Sequence, residues 1–332
     1  MSDRPIRIGT LGAARITPTA LIKPARDVDD VEVVAVAARD PERARAFATK
    51  HAIPRVLDSY EALVSDPDID AVYNPLPNSL HAEWTMKALA AGKHVLCEKP
   101  FASNAAEAGE VAAATERSGR VVMEAFHYRY HPLAARMREV VTSGELGEIR
   151  HVETWMCVPI PLKGDIRYRL DLAGGATMDV GAYTIHMLRF LSGAEPEVVR
   201  ARAKLSSPGV DRWMTADFRL PDGATGRMTC SMFSAALLRI GARVTGTEGE
   251  MRVLNPVGAH YYHRLKVKRR DGVSRERVGT GSTYLHQLRA FAAAVRDGAP
   301  IPTPPSDSVA TMRVIDEVYR AAGMHPRGTS SN

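Results

Sequence analysis

The chain has 332 residues, of which 45% are hydrophobic and 25% charged, with a net charge of +6. This composition excludes a disordered or fibrous chain and suits about two globular domains. No apolar run approaches the roughly 20 residues of a membrane helix, so no membrane partner is expected. The positive balance would suit nucleic acid or anionic small molecules. Its densest stretch, Arg264 to Arg270, alternates Leu265 and Val267 with Arg264, Lys266 and Lys268. That is a half-buried strand with a wet face, and no interleaved aromatics mark a nucleic-acid surface, so none is expected. Cys97, Cys157 and Cys230 are odd in number and widely spaced. They read as reduced thiols of a cytoplasmic protein, not as a disulfide frame or metal knot. A first strand this close to the start leaves no room for a signal peptide.

In chain order, Ile6 to Leu11 reads as a strand that turns through Gly9-Thr10-Leu11-Gly12-Ala13-Ala14-Arg15-Ile16 into a helix over Thr19 to Arg26. Gly12 permits a tight turn. The small Ala13 and Ala14 let the backbone and the helix amino end approach a pyrophosphate, where N–H groups and the helix dipole favour negative charge. The turn departs from G-x-G-x-x-G, with Ala14 for the second glycine and Thr17 for the third, so an ordinary strand-to-helix turn competes with this reading. Val31 to Ala37 is a nearly continuous apolar strand, as in parallel sheets. Pro41 to Lys50 is a helix with Asp40 as its N-cap. Strands at Ile69 to Tyr73, Lys93 to Glu98 and Gly119 to Ala125 then alternate with helices at Asn78 to Ala91 and Ala105 to Arg117. This alternation predicts an α/β domain with a doubly wound parallel sheet over residues 1–125.

At the end of the second strand an acid would hold a ribose 2′-OH, whereas an arginine suits a 2′-phosphate. The strand ends Ala37-Ala38-Arg39, and Glu32 lies at its wrong end. Arg39 is therefore read as the phosphate ligand, with NADP(H) preferred over NAD(H). The bland alternative is a surface arginine paired with Asp40 or Glu42. The loop Asn74-Pro75-Leu76-Pro77-Asn78-Ser79-Leu80-His81 should lie over the sheet edge where Glu98 and Lys99 emerge before Pro100, the edge at which open α/β sheets take ligands.

From residue 126 the pattern changes. Helical stretches at Pro132 to Thr142 and Gly175 to Leu191 precede candidate strands at Ile149 to Val158, Val198 to Leu205, Trp213 to Leu220, Gly226 to Phe233 and Leu238 to Thr245. A turn at Pro221-Asp222-Gly223 joins two of these. Residues 126–332 thus predict an α+β domain with a mostly antiparallel sheet. Helices at Tyr284 to Arg296 and Asp307 to Ala322 close the chain, and the residues from His325 read as a loose tail. As a helix, Gly174 to His186 would put Asp179, Tyr183 and His186 on one face, where acid, phenol and imidazole could move protons or form a polar stripe. His127, Arg129, Arg167, Tyr168 and Arg169 are candidate pocket residues or a charged surface. His127 and His131 lack the nearby acid a metal site would need, so no metal is expected.

Together, Gly9-x-x-Gly12-x-Ala14-Arg15-Ile16, Asn78-x-x-His81, Glu98-Lys99-Pro100, Glu124-Ala125-Phe126 and Gly174-to-Tyr183 resemble the Gfo/Idh/MocA oxidoreductases over nearly the whole chain. The resemblance implies a Rossmann domain followed by an open-faced sheet that carries substrate and the contact of a homodimer or homotetramer. It implies cofactor contacts from Gly12, Ala13, Ala14, Arg15, Ile16, Arg39, Pro75, Leu76, Asn78, His81, Glu98 and Lys99, with Lys99 as the catalytic lysine before a cis proline. Tyrosine at 183, where many inositol dehydrogenases have histidine, resembles the branch of dimeric dihydrodiol dehydrogenase, xylose dehydrogenase, glucose-fructose oxidoreductase and sugar ketoreductases. That branch often uses NADP. His186 has no counterpart in the pattern.

The function so implied is hydride transfer between nicotinamide and a sugar, polyol or diol, with Tyr183 as proton donor or acceptor, Lys99 as supporting ammonium and Asp179 orienting substrate hydroxyls. Three rivals share the fold: a redox-assisted glycosidase with tightly held NAD, a cofactor-sensing regulator, and a biliverdin-reductase-like enzyme. Arg39 weighs against the first, and the presence of both Lys99 and Tyr183 weighs against the second.

Overall fold

The computed structural model describes residues 4–160 and 164–328. By their contacts these fall into two compact units. The first holds residues up to Ala102, Ala106–Tyr130 and Ser282–Val309, and the second Ser103–Ala105, His131–Gly281 and the chain from Ala310.

In the first unit, β1 (Ile6–Leu11), β2 (Val31–Ala37), β3 (Arg55–Leu57), β4 (Ala71–Asn74), β5 (His94–Cys97) and β6 (Val122–Glu124) form one sheet. Their order is β3-β2-β1-β4-β5-β6, and every neighbouring pair is parallel. This is the expected doubly wound sheet, with the strand order reversing at β1 and β4. The apolar runs at Val34–Ala37 and Val95–Cys97 are fully buried because helices cover both faces. Strand β3 and the helix Tyr60–Ser65, three and six residues long, are too short to show a period in the sequence. The late helix Thr283–Asp297 returns to this unit, where Leu288, Phe291 and Ala292 pack with Ile6, Ile8, Tyr73 and Leu96.

The second unit is an eight-stranded sheet. Its strands are β7 (Ile149–Cys157), β8 (Glu197–Ser207), β9 (Val210–Arg219), β10 (Thr225–Ser231), β11 (Arg239–Gly246), β12 (Gly249–Leu254), β13 (Arg264–Arg269) and β14 (Gly272–Glu276), in the order β14-β13-β12-β11-β7-β10-β9-β8. All neighbours are antiparallel except β7 and β10, so the sheet is mostly antiparallel, as expected. The basic run 264–269 is strand β13, with Leu265 and Val267 buried. The reading of everything after His325 as a loose tail fails at Arg327, which is 2% exposed; residues 329–332 lie outside the described chain. Among the described residues, no helix is long and apolar enough to cross a membrane.

Candidate functional site

The turn after β1 is built for close approach to its backbone. Gly12 has φ of +81°, a conformation that costs a residue with a Cβ, and a Cβ there would also stand 3.3 Å from Leu76. Ala13 is buried, Ala14 half-buried, and Arg15 and Ile16 exposed. The chain then enters a π-helical turn at Pro18–Ile22 before one α-helical turn, Lys23–Ala25.

A cationic corner stands beside this turn. Asp40 does not hold Arg39 by an ion pair; its carboxylate caps the next helix, accepting from the N–H groups of Glu42 (2.9 Å) and Arg43 (3.2 Å). Arg39 is exposed at the end of β2. Arg43 donates from Nη2 to the Ala13 carbonyl at 2.9 Å, which brings its guanidinium onto the glycine turn. The Tyr60 hydroxyl is 3.6 Å from where a Gly12 Cβ would lie, and burial raises its pKa while Arg39 and Arg43 pull it down. Sequence reasoning missed Arg43 and Tyr60. The signal for Arg43 was its i+4 spacing from Arg39 across the capped helix start. Two guanidiniums and a phenol beside a tight turn form a donor set that fits the phosphates of a dinucleotide.

At the carboxyl ends of β4 and β5, Pro75 and Leu76 are buried, while Asn78 opens a 3₁₀ turn, Asn78–Leu80, and is half-buried. His81 ties this loop down. Its Nε2 faces the Leu76 carbonyl at 2.7 Å and its Nδ1 the Pro100 carbonyl at 2.6 Å. Burial is the dominant influence and takes its pKa down to about 4, against the pull of the two carbonyls. Glu98 is buried and accepts from the Tyr73 hydroxyl at 2.8 Å; Lys99 is half-buried, and the Lys99–Pro100 bond is cis. Glu98, Lys99 and Pro100 therefore share a short, braced segment with the Leu76 loop.

Two of the candidate pocket residues also lie in this unit. His127 is buried, its Nδ1 2.8 Å from Thr283 Oγ1 and its ring stacked on Tyr284 at 4.1 Å. Its contacts brace the returning helix. Arg129 is half-buried.

In the second unit, Asp179 lies in a π-helical turn, Thr177–Gly181, and Tyr183 in the α-helix Ala182–Ser192 that continues it. The expected one-face register at i, i+4 and i+7 is therefore altered, because a π turn takes in an extra residue. Tyr183 is 6% exposed and His186 2% exposed. Asp179 accepts an ion pair from Arg167 Nε at 3.0 Å, and this Coulomb attraction is the largest influence raising the arginine's pKa. Arg167 also pairs with buried Asp165, and the Tyr168 hydroxyl donates to the Ile160 carbonyl at 2.8 Å. Arg169 is exposed and pairs with Asp171. Gly174 is required where it stands: a Cβ would be 2.6 Å from the Arg167 carbonyl oxygen and 2.7 Å from that of Arg169. Among the described residues, no group of three or more His, Cys, Asp or Glu could hold a metal ion.

Comparison with known proteins agrees with this arrangement. Residues 6–126 match a family model described as "Oxidoreductase family, NAD-binding Rossmann fold", and residues 134–252 match the "GFO/IDH/MocA C-terminal domain". The chain is 37% identical over 320 residues to D-xylose 1-dehydrogenase (NADP(+)) 2 of Haloferax volcanii, covering 95% of this chain and 96% of that one. It is 34% identical to the dTDP-3,4-didehydro-2,6-dideoxy-alpha-D-glucose 3-reductase of Streptomyces violaceoruber, covering 88% and 86%. Among solved structures, a 3-ketoreductase from Actinomadura kijaniata in complex with NADP and TDP-benzene superposes with a TM-score of 0.88 at 30% identity, covering 96% and 98%.

Proposed function

The chain belongs to the Gfo/Idh/MocA family of NAD(P)-dependent oxidoreductases, and within that family we propose that it is an NADP(H)-dependent dehydrogenase or ketoreductase acting on a CH–OH carbon of a sugar, polyol or diol. The observation that carries the cofactor choice is the corner of Arg39, Arg43 and Tyr60 beside the Gly12 turn. Two fork-shaped cations there suit a 2′-phosphate, and the carboxylate that follows Arg39, Asp40, is engaged through Oδ1 in capping the next helix. The substrate class rests on the relatives, a xylose dehydrogenase and a nucleotide-sugar reductase.

When bound, the nicotinamide supplies the hydride chemistry. The chain's own residues supply position and proton traffic. Gly12 spends its own N–H on the Ala37 carbonyl at 2.6 Å and supplies the tight turn, while Ala13, Ala14, Arg15 and Ile16 present backbone N–H groups to the pyrophosphate. Pro75, Leu76, Asn78, His81 and Glu98 shape the nicotinamide end, where the imidazole of His81 fixes the loop's position. Lys99 offers its ammonium to the nicotinamide ribose. Tyr183 passes its proton to the substrate's reacting oxygen in reduction and takes it back in oxidation. Asp179, steadied by Arg167, accepts hydrogen bonds from substrate hydroxyls. His127, Arg129, Arg167 and Tyr168 are the remaining candidates for substrate contact. A homodimer or homotetramer through the eight-stranded sheet completes the reading.

The test is a screen of aldoses, ketosugars, inositols and 1,2-diols with NADP(H) and NAD(H), followed at 340 nm. Against the best substrate, Tyr183→Phe should lower kcat about 10²- to 10⁴-fold while still binding NADPH. Unchanged turnover in that variant would remove Tyr183 from the mechanism.

A further inference from the structure

Beneath the turn that carries Asp179 lies a buried ionic cluster that the mechanism does not use. Asp211, at the start of β9, is 0% exposed. Its Oδ2 accepts from the Thr177 N–H and the Thr177 hydroxyl, both at 2.7 Å. Its Oδ1 accepts from the Tyr319 hydroxyl at 3.0 Å and from Arg327 Nη2 at 2.8 Å. A carboxylate has about four lone-pair sites, and here each is met by a donor. Arg327 is itself fixed: its Nε donates to the Gly174 carbonyl at 2.7 Å, its own carbonyl accepts from Asn104 Nδ2 at 2.9 Å, and its guanidinium lies 4.1 Å from the centre of the Tyr319 ring. Gly175 leaves the room this requires. Its φ is +134°, and a Cβ there would collide with the Asp211 carboxylate and stand 2.7 Å from Arg327 Nη2.

We propose that Asp211, held by Arg327 and Tyr319, is a positioning residue that fixes the phase of the reactive helix by clamping Thr177, the first residue of the π turn. A fully satisfied buried ion pair contributes little net stability, because desolvation offsets the attraction, but it tolerates only one geometry. A π turn is the less stable winding, so it persists where something outside the helix holds it. Each residue of a helix turns the chain by about 100°. If the turn relaxed to α-helical winding, the angle between Asp179 and Tyr183 around the helix would change although both side chains remained. The cluster thereby accounts for Gly175 and for the burial of a residue as near the end of the described chain as Arg327.

The inference rests on the proposed roles of Asp179 and Tyr183, and the test separates the two. Thr177→Val keeps shape and removes one of the two hydrogen bonds to Oδ2; Thr177→Ser restores it; Asp211→Asn presents an amide where donors converge. Arg136→Ala, which breaks the ion pair to Glu276 elsewhere in the same unit, is the control for general destabilisation. Per folded molecule, Thr177→Val and Asp211→Asn should lose about 10- to 100-fold in kcat, the scale of a reacting group misplaced by about 1 Å. NADPH affinity should be unchanged, Thr177→Ser should restore turnover, and Arg136→Ala should keep it. Wild-type turnover per folded molecule in both Thr177→Val and Asp211→Asn would overturn the proposal. If the wild type turns over nothing in the screen, the proposed function fails, and amide hydrogen exchange over residues 177–183 decides the positioning role. Faster exchange in Thr177→Val than in Thr177→Ser and Arg136→Ala sustains it; equal exchange in all overturns it.

Discussion

His81 makes the first unit sensitive to acid in a direction that can be worked out. Its ring is 1% exposed and its pKa is lowered to about 4, against about 6.5 for an unfolded histidine. Between those values the unfolded chain binds a proton that the folded chain refuses. Stability contributed by the neutral ring is therefore fully present above pH 6.5 and is lost as pH falls toward 4. Linkage gives a loss of about 2 kcal/mol by pH 5 and about 3 kcal/mol by pH 4. His94 titrates in the same window, because burial lowers its pKa to about 4 as well and its Nδ1 accepts from the Val121 N–H at 3.0 Å. The clean measurement is thus a comparison: urea unfolding of the wild type and of His81→Gln at several pH values between 4 and 7.5. The variant should be less stable at pH 7.5, having lost the hydrogen bond that the neutral ring donates to one of the Leu76 and Pro100 carbonyls, and its stability should fall less steeply by about 2 kcal/mol down to pH 5. The geometry contains its own refutation. Two carbonyls facing both ring nitrogens would each accept from an imidazolium. If they outweigh burial, acid stabilises the wild type relative to the variant, and a difference of that sign would show the argument to be wrong.

Three further substitutions probe the glycine turn and the approach to the reactive helix. Arg39→Ala and Arg43→Ala should each weaken NADPH binding about 10- to 100-fold while leaving NADH binding nearly unchanged, on the scale of one charge-assisted hydrogen bond; fluorescence titration with both cofactors reads this, and equal losses for both would remove the 2′-phosphate from the corner. Gly174→Ala should destabilise the second unit by about 1–3 kcal/mol, since its Cβ would press on the Arg167 and Arg169 carbonyl oxygens, which are backbone and cannot rotate aside; an unchanged thermal midpoint would contradict that crowding.

The parts of the molecule that were legible in the sequence share a physical cause, and so do the parts that were not. The parallel sheet announced itself because Val34–Ala37 of β2 and Val95–Cys97 of β5 are buried on both faces and so must be apolar. Asp40-Pro41 marked a helix start by local chemistry alone, and the structure shows that cap formed. What stayed hidden depends on partners far along the chain. Nothing within Thr283–Asp297 says that its apolar face belongs with Ile6 and Tyr73. Nothing near Arg327 says that it meets Asp211, which lies 116 residues earlier. The π turns at Pro18–Ile22 and Thr177–Gly181 escaped for a related reason. A regular i, i+4 reading assumes α-helical winding, and only long-range contacts can hold a different one.

That contrast bears on how the site works. The residues that touch cofactor and substrate under the proposed function sit in short motifs, readable because their chemistry constrains neighbouring positions: Gly12 with Ala13 and Ala14, Glu98 with Lys99, Asp179 with Tyr183. The residues that hold those motifs in place are scattered. Tyr73 braces Glu98, and Asp211 braces Thr177. A buried hydrogen bond of this kind costs about 1–3 kcal/mol when one partner is removed and the other is left buried and unmet. That is small against the barrier such an enzyme must lower, yet enough to move a reacting group off its position. Substitutions that spare every motif and strike only these supports should therefore yield folded protein that binds dinucleotide and turns over slowly.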